Sequence, residues 1–179
     1  QGAQLILLSH LGRPKAGKIQ KEFSLKPVAK SLEKKLNLTI ELKGSLADLS
    51  SREESLVMLE NIRFFEGEEN NDSNFSRELA SHCDVFIMDA FATSHRAHAS
   101  TTGVINFADF ACAGFLIKEE LQALEKINTA KRPVVTVLGG DKISTKLSLI
   151  NSLSEKVDHL ILGGGLANTC LGSQGMQIG

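Results

Sequence analysis

Residues 134–165 read VVTVLGGDKISTKLSLINSLSEKVDHLILGGG, and their pattern is the clearest indication of the fold. It contains two apolar runs rich in β-branched residues, Val134–Leu138 and His159–Leu162, and each run ends in a glycine turn. Between them, Ser144–Val157 repeats apolar residues at helical spacing. A strand, a helix and a second strand in this order predict two parallel strands joined by a helical crossover.

The same alternation continues on both sides of this stretch. Further strands are predicted at Gln4–Ser9, Leu56–Leu59 and Val85–Met88. Further helices are predicted at Lys26–Leu36, Asn74–His82, Ile117–Ile127 and Ala167–Ser173. We expect Ser24 to cap the first of these helices, with Pro27 in its first turn, and Asp72 or Ser73 to cap the second.

Strands that alternate with helices predict an α/β fold built on parallel sheets. Four of the five strand candidates are nearly all apolar, which is typical of strands covered on both faces. The best domain boundary is the helix at about Leu116–Ile127, followed by the polar residues Asn128–Arg132 and by Pro133. This helix separates two strand–helix systems.

Composition excludes several classes of protein. The net charge is −1, so overall electrostatics do not favour nucleic acid or an anionic membrane as a partner. No apolar run approaches the length of about 18 residues needed to span a bilayer. The three cysteines (Cys83, Cys112 and Cys170) are far apart, which indicates a reduced, cytoplasmic protein without disulfides or a zinc site. The chain begins at Gln1 and stops at Gly179 just after a predicted helix, and we expect a fragment.

Cationic side chains concentrate after the first three strands, where parallel sheets bind ligands. Three of the six arginines and three of the five histidines lie there, and they are Arg13, Arg63, Arg96, His10, His95 and His98. The arginine fork suits carboxylate and phosphate, so together these residues predict a pocket for a small, multiply charged anion. The alternative is that each is an ordinary surface charge.

The last two strands end in glycine turns that lead into helices, where backbone N–H groups attract phosphate. Lys142 and Lys146 are four residues apart and are predicted to share a helix face near the helix N-terminus. Two cations at these positions repel each other, and the N-terminal end of a helix disfavours positive charge. A bound polyphosphate would reverse both penalties. The alternative is a pair of solvated lysines.

An anion pocket and a phosphate-binding edge on either side of a linking helix suggest phosphoryl transfer between a small acid and a nucleotide. No Ser/His/Asp or Cys/His arrangement and no pair of carboxylates favours a nucleophilic mechanism. A second hypothesis is an NAD-type dehydrogenase, suggested by GGGLAN at residues 163–168, although the GxGxxG pattern is absent. A third is a non-catalytic anion-binding module.

Several motifs resemble those of the phosphoglycerate kinase family, in the family's order along nearly the whole chain. They are SHLGRP (Ser9–Pro14), FSLKPVA (Phe23–Ala29), LENIRF (Leu59–Phe64), DAFATSHRAHAST (Asp89–Thr101), AGFLIKEELQAL (Ala113–Leu124), RPVVTVLGGDKISTKL (Arg132–Leu147) and VDHLILGGGLANT (Val157–Thr169). The resemblance implies two doubly wound, Rossmann-like parallel-sheet domains joined by a hinge helix, both incomplete here. The acid-binding domain would cover residues 1–115, the interdomain helix 116–127, and the start of the nucleotide domain 128–179.

The resemblance also implies roles for individual residues. His10, Arg13, Arg63 and Arg96 would hold the carboxylate and phosphate of 3-phosphoglycerate, with His95 and His98 lining the patch. Lys142 would contact the transferring phosphoryl group and Lys146 the nucleotide phosphates, and both count as catalytic candidates. Gly140, Asp141, Gly164 and Gly165 would line the nucleotide site. Domain closure about the hinge would exclude water.

The chain departs from the family pattern at several points. The family's amino-terminal strand and the loop whose Asp holds magnesium are missing, so we expect Mg²⁺ to act with ATP or ADP through a ligand outside this chain. For the same reason we expect the 179 residues alone to be inactive. Asp141 stands where the family more often has a small residue, and it could cap the following helix. Other expected properties are small-molecule substrates, no nucleic acid or membrane partner, and a monomer.

Overall fold

A computed structural model describes residues 2–50 and 55–178, with the backbone alone at residue 50. The predicted chain ends at Gln1 and Gly179 lie outside the described residues. The strands are β1 (Leu5–Leu7), β2 (Glu41–Lys43), β3 (Leu56–Leu59), β4 (Val85–Met88), β5 (Phe110–Ala113), β6 (Val135–Gly139) and β7 (His159–Gly163). The α-helices are α1 (Lys26–Leu36), α2 (Ser73–Ala80), α3 (Phe115–Thr129), α4 (Leu147–Ser154) and α5 (Gly165–Ser173).

Every described strand pair is parallel, which confirms the predicted α/β class. The strands form three sheets, with the orders β1-β3-β2, β4-β5 and β6-β7. The chain divides into two compact units, Gln1–Ile117 and Lys118–Gly179, and the division falls within α3. The predicted borders at residues 115 and 128 remain a prediction.

The first unit is built around β3, whose four residues are all buried. Val57 and Leu59 pack into one apolar cluster, which also contains residues of β4 and α2. Leu56 and Met58 point to the opposite face and pack into a second cluster, beneath α1. Because successive strand residues face opposite ways, this strand needs apolar residues at every position.

The other predicted strands do not share this full cover. Val85 and Ile87 in β4 are exposed, as are Val137 in β6 and Ile161 in β7. Each of these strands has at least two exposed residues, and β6 and β7 have no fully buried ones, so the prediction of two covered faces holds for β3 and is wrong for them. Their apolar composition suits the β conformation as well as burial, because β-branched side chains favour strands on either face.

Two strands were not predicted from the sequence. β2 has three residues, and its charged ends Glu41 and Lys43 form an ion pair of 2.7 Å, so no apolar run marks it. β5 has the sequence FACA and is exposed along its length. Both are recognisable only from their pairing with β3 and β4.

The helix starts in the first unit follow local hydrogen bonding. Asp72 caps α2 as predicted, because its Oδ1 accepts from the N–H of Phe75 at 2.8 Å. The N-cap of α1 is Leu25 rather than Ser24, although Ser24 Oγ still accepts from the N–H of Lys26 at 3.2 Å. The hydroxyl of Ser24 also donates to Glu60 Oε2 at 2.6 Å.

In the second unit, β6 and β7 pair from Val135–His159 to Gly139–Gly163. Asp158 ties the starts of the two strands together, because its Oδ2 accepts from the N–H of Val134 at 2.6 Å and lies 2.9 Å from Arg132. The hydrogen bond from Val134, followed by the contact with Arg132, lowers the pKa of the Asp158 carboxyl. Among the described residues, no helix is both long and apolar enough to cross a membrane.

The burial of β3 leads to a stability prediction. Leu59 has no exposed surface, and replacing it with alanine should lower the free energy of unfolding by about 2–5 kcal/mol, because a buried cavity replaces the lost side chain. Leu38 is 51% exposed, and Leu38→Ala is the matched control. Chemical denaturation of both variants checks this, and equal losses for the two would contradict the central place of β3 in the core.

Candidate functional site

The loop after β1 is held by a buried asparagine at the carboxyl end of β3. The Nδ2 of Asn61 donates to the carbonyl oxygens of Leu11 at 2.8 Å and of Phe23 at 2.9 Å. Its Oδ1 accepts from the N–H of Arg63 at 3.1 Å. One side chain therefore fixes the segment that carries His10 beside the turn that carries Arg63.

Arg63 is a buried cation, with 5% of its surface exposed. Its Nη1 donates to the carbonyl oxygen of Gly12 at 2.6 Å, and its Nε lies 3.5 Å from Glu69 Oε1. Because burying a charge is costly unless it is paired, these contacts hold the guanidinium in one place. The remaining donors of the planar group are suited to an anion.

Arg96 and His98 lie on the segment that follows β4, and this segment is held by Thr101. The Oγ1 of Thr101 donates to the carbonyl oxygen of Arg96 at 2.6 Å and accepts from the N–H of His98 at 3.1 Å. A single π-helical turn, Ala99–Gly103, follows. Such turns are rare and occur often at functional sites.

Four of the six predicted anion-site residues come together in the first unit. His10 is half-buried, and its pKa is lowered by burial first, then by the positive charges of Arg63 and Arg96, and then by His98. Glu69 acts in the opposite direction. Arg63, Arg96 and His98 are therefore close enough for their charges to act on His10. We call these four groups the basic cluster.

Arg13 and His95 differ from these four residues. Both side chains are exposed, and none of the described hydrogen bonds or ion pairs joins them to the basic cluster. Arg13 and His95 follow strands, as His10 and Arg96 do. The position of a residue in a loop does not decide where its side chain points. Their predicted contact with the anion stays a prediction.

The two glycine turns of the second unit touch each other. The N–H of Leu166 donates to the carbonyl oxygen of Gly140 at 3.0 Å, so the start of α5 rests on the turn after β6. Gly164 has a φ of 61°, which favours glycine, and a Cβ at Gly165 would lie 2.6 Å from the carbonyl oxygen of Asp141. This close approach requires glycine and leaves main-chain groups at the surface of the turn.

The predicted shared helix face of Lys142 and Lys146 is wrong. α4 begins at Leu147, so Lys146 is its N-cap residue and Lys142 lies in the preceding turns. Thr145 Oγ1 donates to the carbonyl oxygen of Lys142 at 3.0 Å, and this side-chain bond competes with helix formation. Asp141 does not cap α4, because the cap position lies five residues further along the chain.

The two lysines have different surroundings. Lys142 is exposed, whereas Lys146 is half-buried, and its aliphatic chain lies against Gly140. A Cβ at Gly140 would lie 2.6 Å from the Cε of Lys146. Lys146 thus lies beside the glycine turns, and Lys142 presents its ammonium group to solvent.

Sequence reasoning gave no role to the buried polar residues that support the basic cluster. Glu60, which is 8% exposed, accepts from Ser24 Oγ at 2.6 Å and from the N–H groups of Leu25 at 2.7 Å and Asn61 at 2.8 Å. Asn61 and Glu68 are also buried. Their position in the sequence could have identified Glu60 and Asn61 as buried, because residues directly after a fully apolar strand are seldom exposed.

No group of three or more His, Cys, Asp or Glu side chains within residues 2–49 and 55–178 is arranged to hold a metal ion. Asp141 is the carboxylate nearest to the glycine turns, and a single carboxylate is a poor site for Mg²⁺ without further oxygen ligands. The described residues therefore do not complete a site for Mg²⁺.

Comparison with known proteins gives one consistent result. The model of the phosphoglycerate kinase family matches residues 1–179. A phosphoglycerate kinase from Coxiella burnetii is 48% identical over 181 residues, and the match covers 100% of this chain and 46% of that protein. The chain therefore spans about half the length of the curated relative it matches.

Solved structures agree with this match. The structure of phosphoglycerate kinase from Coxiella burnetii has a TM-score of 0.84 at 48% identity, covering 99% of this chain and 46% of that chain. Phosphoglycerate kinase from Pyrococcus horikoshii has a TM-score of 0.80 at 25% identity, covering 99% of this chain and 47% of that chain.

The lowered pKa of His10 leads to a prediction on anion binding. A dianion in the basic cluster would oppose the positive charges that favour neutral His10, so its binding should raise the His10 pKa and take up a proton. Sulfate, which does not titrate near neutral pH, should therefore bind more tightly as the pH falls through the interval between the free and bound His10 pKa values. NMR titration of the His10 imidazole with and without sulfate measures this.

Sodium chloride at matched ionic strength is the control for this titration. A His10 midpoint that stays in place or falls when sulfate is added would contradict the assignment of the basic cluster as an anion site.

Proposed function

The chain belongs to the phosphoglycerate kinase family, and on that premise we propose that it forms part of an enzyme of glycolysis. The reaction is reversible phosphoryl transfer between 1,3-bisphosphoglycerate and ADP, which gives 3-phosphoglycerate and ATP. The observation that best supports this proposal is that Asn61 and Gly12 hold the segment of His10 beside Arg63, where the charges of Arg63, Arg96 and His98 act on His10.

The basic cluster suits 3-phosphoglycerate because this acid carries a carboxylate and a phosphate. Arg63 and Arg96 supply planar donors for these groups, and His10 and His98 add hydrogen-bond donors. Arg63 is held by Gly12 and Glu69 before any ligand arrives, so little freedom is lost when an anion binds. In our proposal Arg13 and His95 join the cluster around the bound acid.

The glycine turns of the second unit suit the nucleotide phosphates. Gly140, Gly164 and Gly165 keep side chains away from the turns, so that backbone N–H groups can approach phosphate oxygens. In our proposal Lys146 binds the nucleotide phosphates beside Gly140, Asp141 lines the same site, and exposed Lys142 binds the transferring phosphoryl group.

The chemistry needs positioning and positive charge rather than a covalent intermediate. The acceptor is a carboxylate oxygen of 3-phosphoglycerate, which attacks the γ-phosphorus of ATP in line with the departing ADP. Arginine and lysine side chains stabilise the charge on the transferring group. Mg²⁺, when bound with the nucleotide, supplies further positive charge, and we propose that its protein ligand lies outside this chain.

Other properties follow as proposals from the family. We propose small-molecule partners alone, with neither nucleic acid nor membrane, and a cytoplasmic monomer. The net charge of −1 supports the first of these, because it gives no general attraction to polyanions.

The proposal predicts that two substitutions have different kinetic effects in the intact protein. Arg96→Ala should raise KM for 3-phosphoglycerate by about 10–100-fold, because a charge-assisted contact to the substrate is lost. Lys142→Ala should lower kcat by about 100-fold and change KM for 3-phosphoglycerate little, because its partner is the moving phosphoryl group. Steady-state kinetics with both substrates varied separates the two effects.

Exposed lysines provide matched controls. Lys26→Ala in the first unit and Lys131→Ala in the second remove the same charge away from the proposed sites, and both should keep the original kinetics. If Arg96→Ala and Lys142→Ala also kept them, the assignment of both sites would be wrong.

A further inference from the structure

The residue directly after β4 is an acid, Asp89, which has no part in the proposed chemistry. Its Oδ1 accepts from the backbone N–H of Ile117 at 3.0 Å, across 28 residues of sequence. Helix α3 begins at Phe115, so Ile117 is the third residue of this helix. The first N–H groups of a helix lack acceptors within the helix, and a side-chain oxygen that accepts from the third residue stabilises the helix start. Asp89 therefore supplies from β4 an acceptor that usually comes from the residue before the helix.

Gly114, which stands directly before α3, makes room for this carboxylate. Its N–H donates to the carbonyl oxygen of Met88 at 2.8 Å, so the chain still follows the end of β4 at this point. A Cβ at Gly114 would collide with the carboxyl carbon of Asp89. The φ of Gly114 is not positive, so the close approach of Asp89, rather than an unusual backbone conformation, requires glycine here.

Helix α3 is the element in which the chain passes from the first unit to the second. Ile117 is the last residue of the first unit, and Lys118–Gly179 form the second. The side chain of Ile117 is buried in the first unit. The hydrogen bond to Asp89 thus fastens α3 to the sheet of the first unit at the last residue that belongs to that unit.

The residues between Asp89 and the basic cluster form consecutive hydrogen-bonded turns. The N–H of Thr93 donates to the carbonyl oxygen of Ala90 at 3.0 Å, and the N–H of Arg96 donates to the carbonyl oxygen of Thr93 at 3.0 Å. The hydroxyl of Thr93 also donates to the carbonyl oxygen of Ala90 at 3.0 Å. Because these bonds make the segment move as one piece, we expect a displacement of Arg96 to reach Asp89.

We propose that Asp89 is a positioning residue that holds the start of α3 and couples it to the basic cluster. An anion that binds Arg96 displaces the turns that follow β4, and Asp89 passes this displacement to Ile117. The coupling requires only that the basic cluster binds anions. Its effect on phosphoryl transfer rests on the proposed function, and the two are tested separately.

Three substitutions distinguish the hydrogen bond from the charge. Asp89→Ala removes the acceptor, whereas Asp89→Asn keeps a side-chain oxygen, and asparagine caps helices about as well as aspartate. Gly114→Ala keeps the carboxylate but displaces it with the added Cβ. Asp84→Ala is the matched control, because Asp84 is exposed, as Asp89 is, and directly precedes the same strand.

Hydrogen exchange measured by NMR on the intact protein tests the bond itself. The N–H of Ile117 should exchange about 5–10-fold faster in Asp89→Ala and Gly114→Ala, which is the change typical of losing a helix cap. The exchange rate should stay the same in Asp89→Asn and Asp84→Ala, because both keep an acceptor for Ile117.

A sulfate titration of the same proteins tests the coupling, with sodium chloride at matched ionic strength as the reference. Sulfate binding, followed through the His10 imidazole, should shift the amide resonance of Ile117 in the unsubstituted protein, in Asp89→Asn and in Asp84→Ala. The shift should be lost in Asp89→Ala and in Gly114→Ala, although His10 still responds in both.

Kinetics of the intact enzyme test the effect on phosphoryl transfer. Asp89→Ala and Gly114→Ala should lower kcat by about 10-fold, because a misplaced α3 disturbs the alignment of the two substrates. Calorimetric affinity for 3-phosphoglycerate should change little, since Asp89 is not a member of the basic cluster. The double variant should match Asp89→Ala alone, because both substitutions act on one bond. A merely structural Asp89 would lower the free energy of unfolding and leave kcat of the folded enzyme unchanged.

Each outcome decides the proposal. An Ile117 resonance that stays in place while His10 responds to sulfate overturns the coupling, and so does an equal response in folded Asp89→Ala. If Asp89→Ala does not fold, Gly114→Ala decides in the same way. If neither His10 nor Ile117 responds, the anion site and the coupling both fail. If the intact protein transfers no phosphoryl group, the proposed function fails, and the sulfate titration still decides the role of Asp89.

Discussion

The side chain of Asn61 joins the parts of the first unit from which the basic cluster is built. It has no exposed surface, and its amide donates to the carbonyl oxygens of Leu11 and Phe23, which lie 50 and 38 residues earlier in the chain. Carbonyl groups that are shielded from water need donors, and an unpaired buried one costs about 1–3 kcal/mol. Two loops therefore depend on a single residue at the end of β3, and the loop with His10 and the turn with Arg63 are held together as a consequence.

The neighbouring residues extend this arrangement. Glu60 accepts from the start of α1, and Glu68 accepts from the turn after His98. Each is an acidic group buried close to cations or to backbone N–H groups, where its hydrogen bonds offset the cost of desolvation. The segments that carry the basic cluster are thus held by buried hydrogen-bond acceptors, and this limits the movement of these segments.

The sequence predicted the parts of this structure that depend on local patterns. The bounds of β3, β4 and α1 follow from apolar runs and helical spacing, and they agree with the structure residue by residue. The concentration of arginine and histidine after the strands located four members of the cluster, because parallel strands bring their carboxyl ends to one edge.

Local sequence patterns do not predict the remaining features of the structure. The start of α4 was misplaced because the hydroxyl of Thr145 and the turn hydrogen bonds replace the helical ones. Asn61 and Glu68 gained no role because their partners lie 32 to 50 residues away in sequence. The exposure of Arg13 and His95 depends on side-chain direction in loops, which spacing does not encode.

We propose that the basic cluster binds the acid substrate. A crystal structure of the intact protein with 3-phosphoglycerate tests it most directly. We expect His10, Arg63, Arg96 and His98 to contact the carboxylate and phosphate, while Asn61 keeps its bonds to Leu11 and Phe23. A bound 3-phosphoglycerate that touches none of these four cationic side chains would contradict the account.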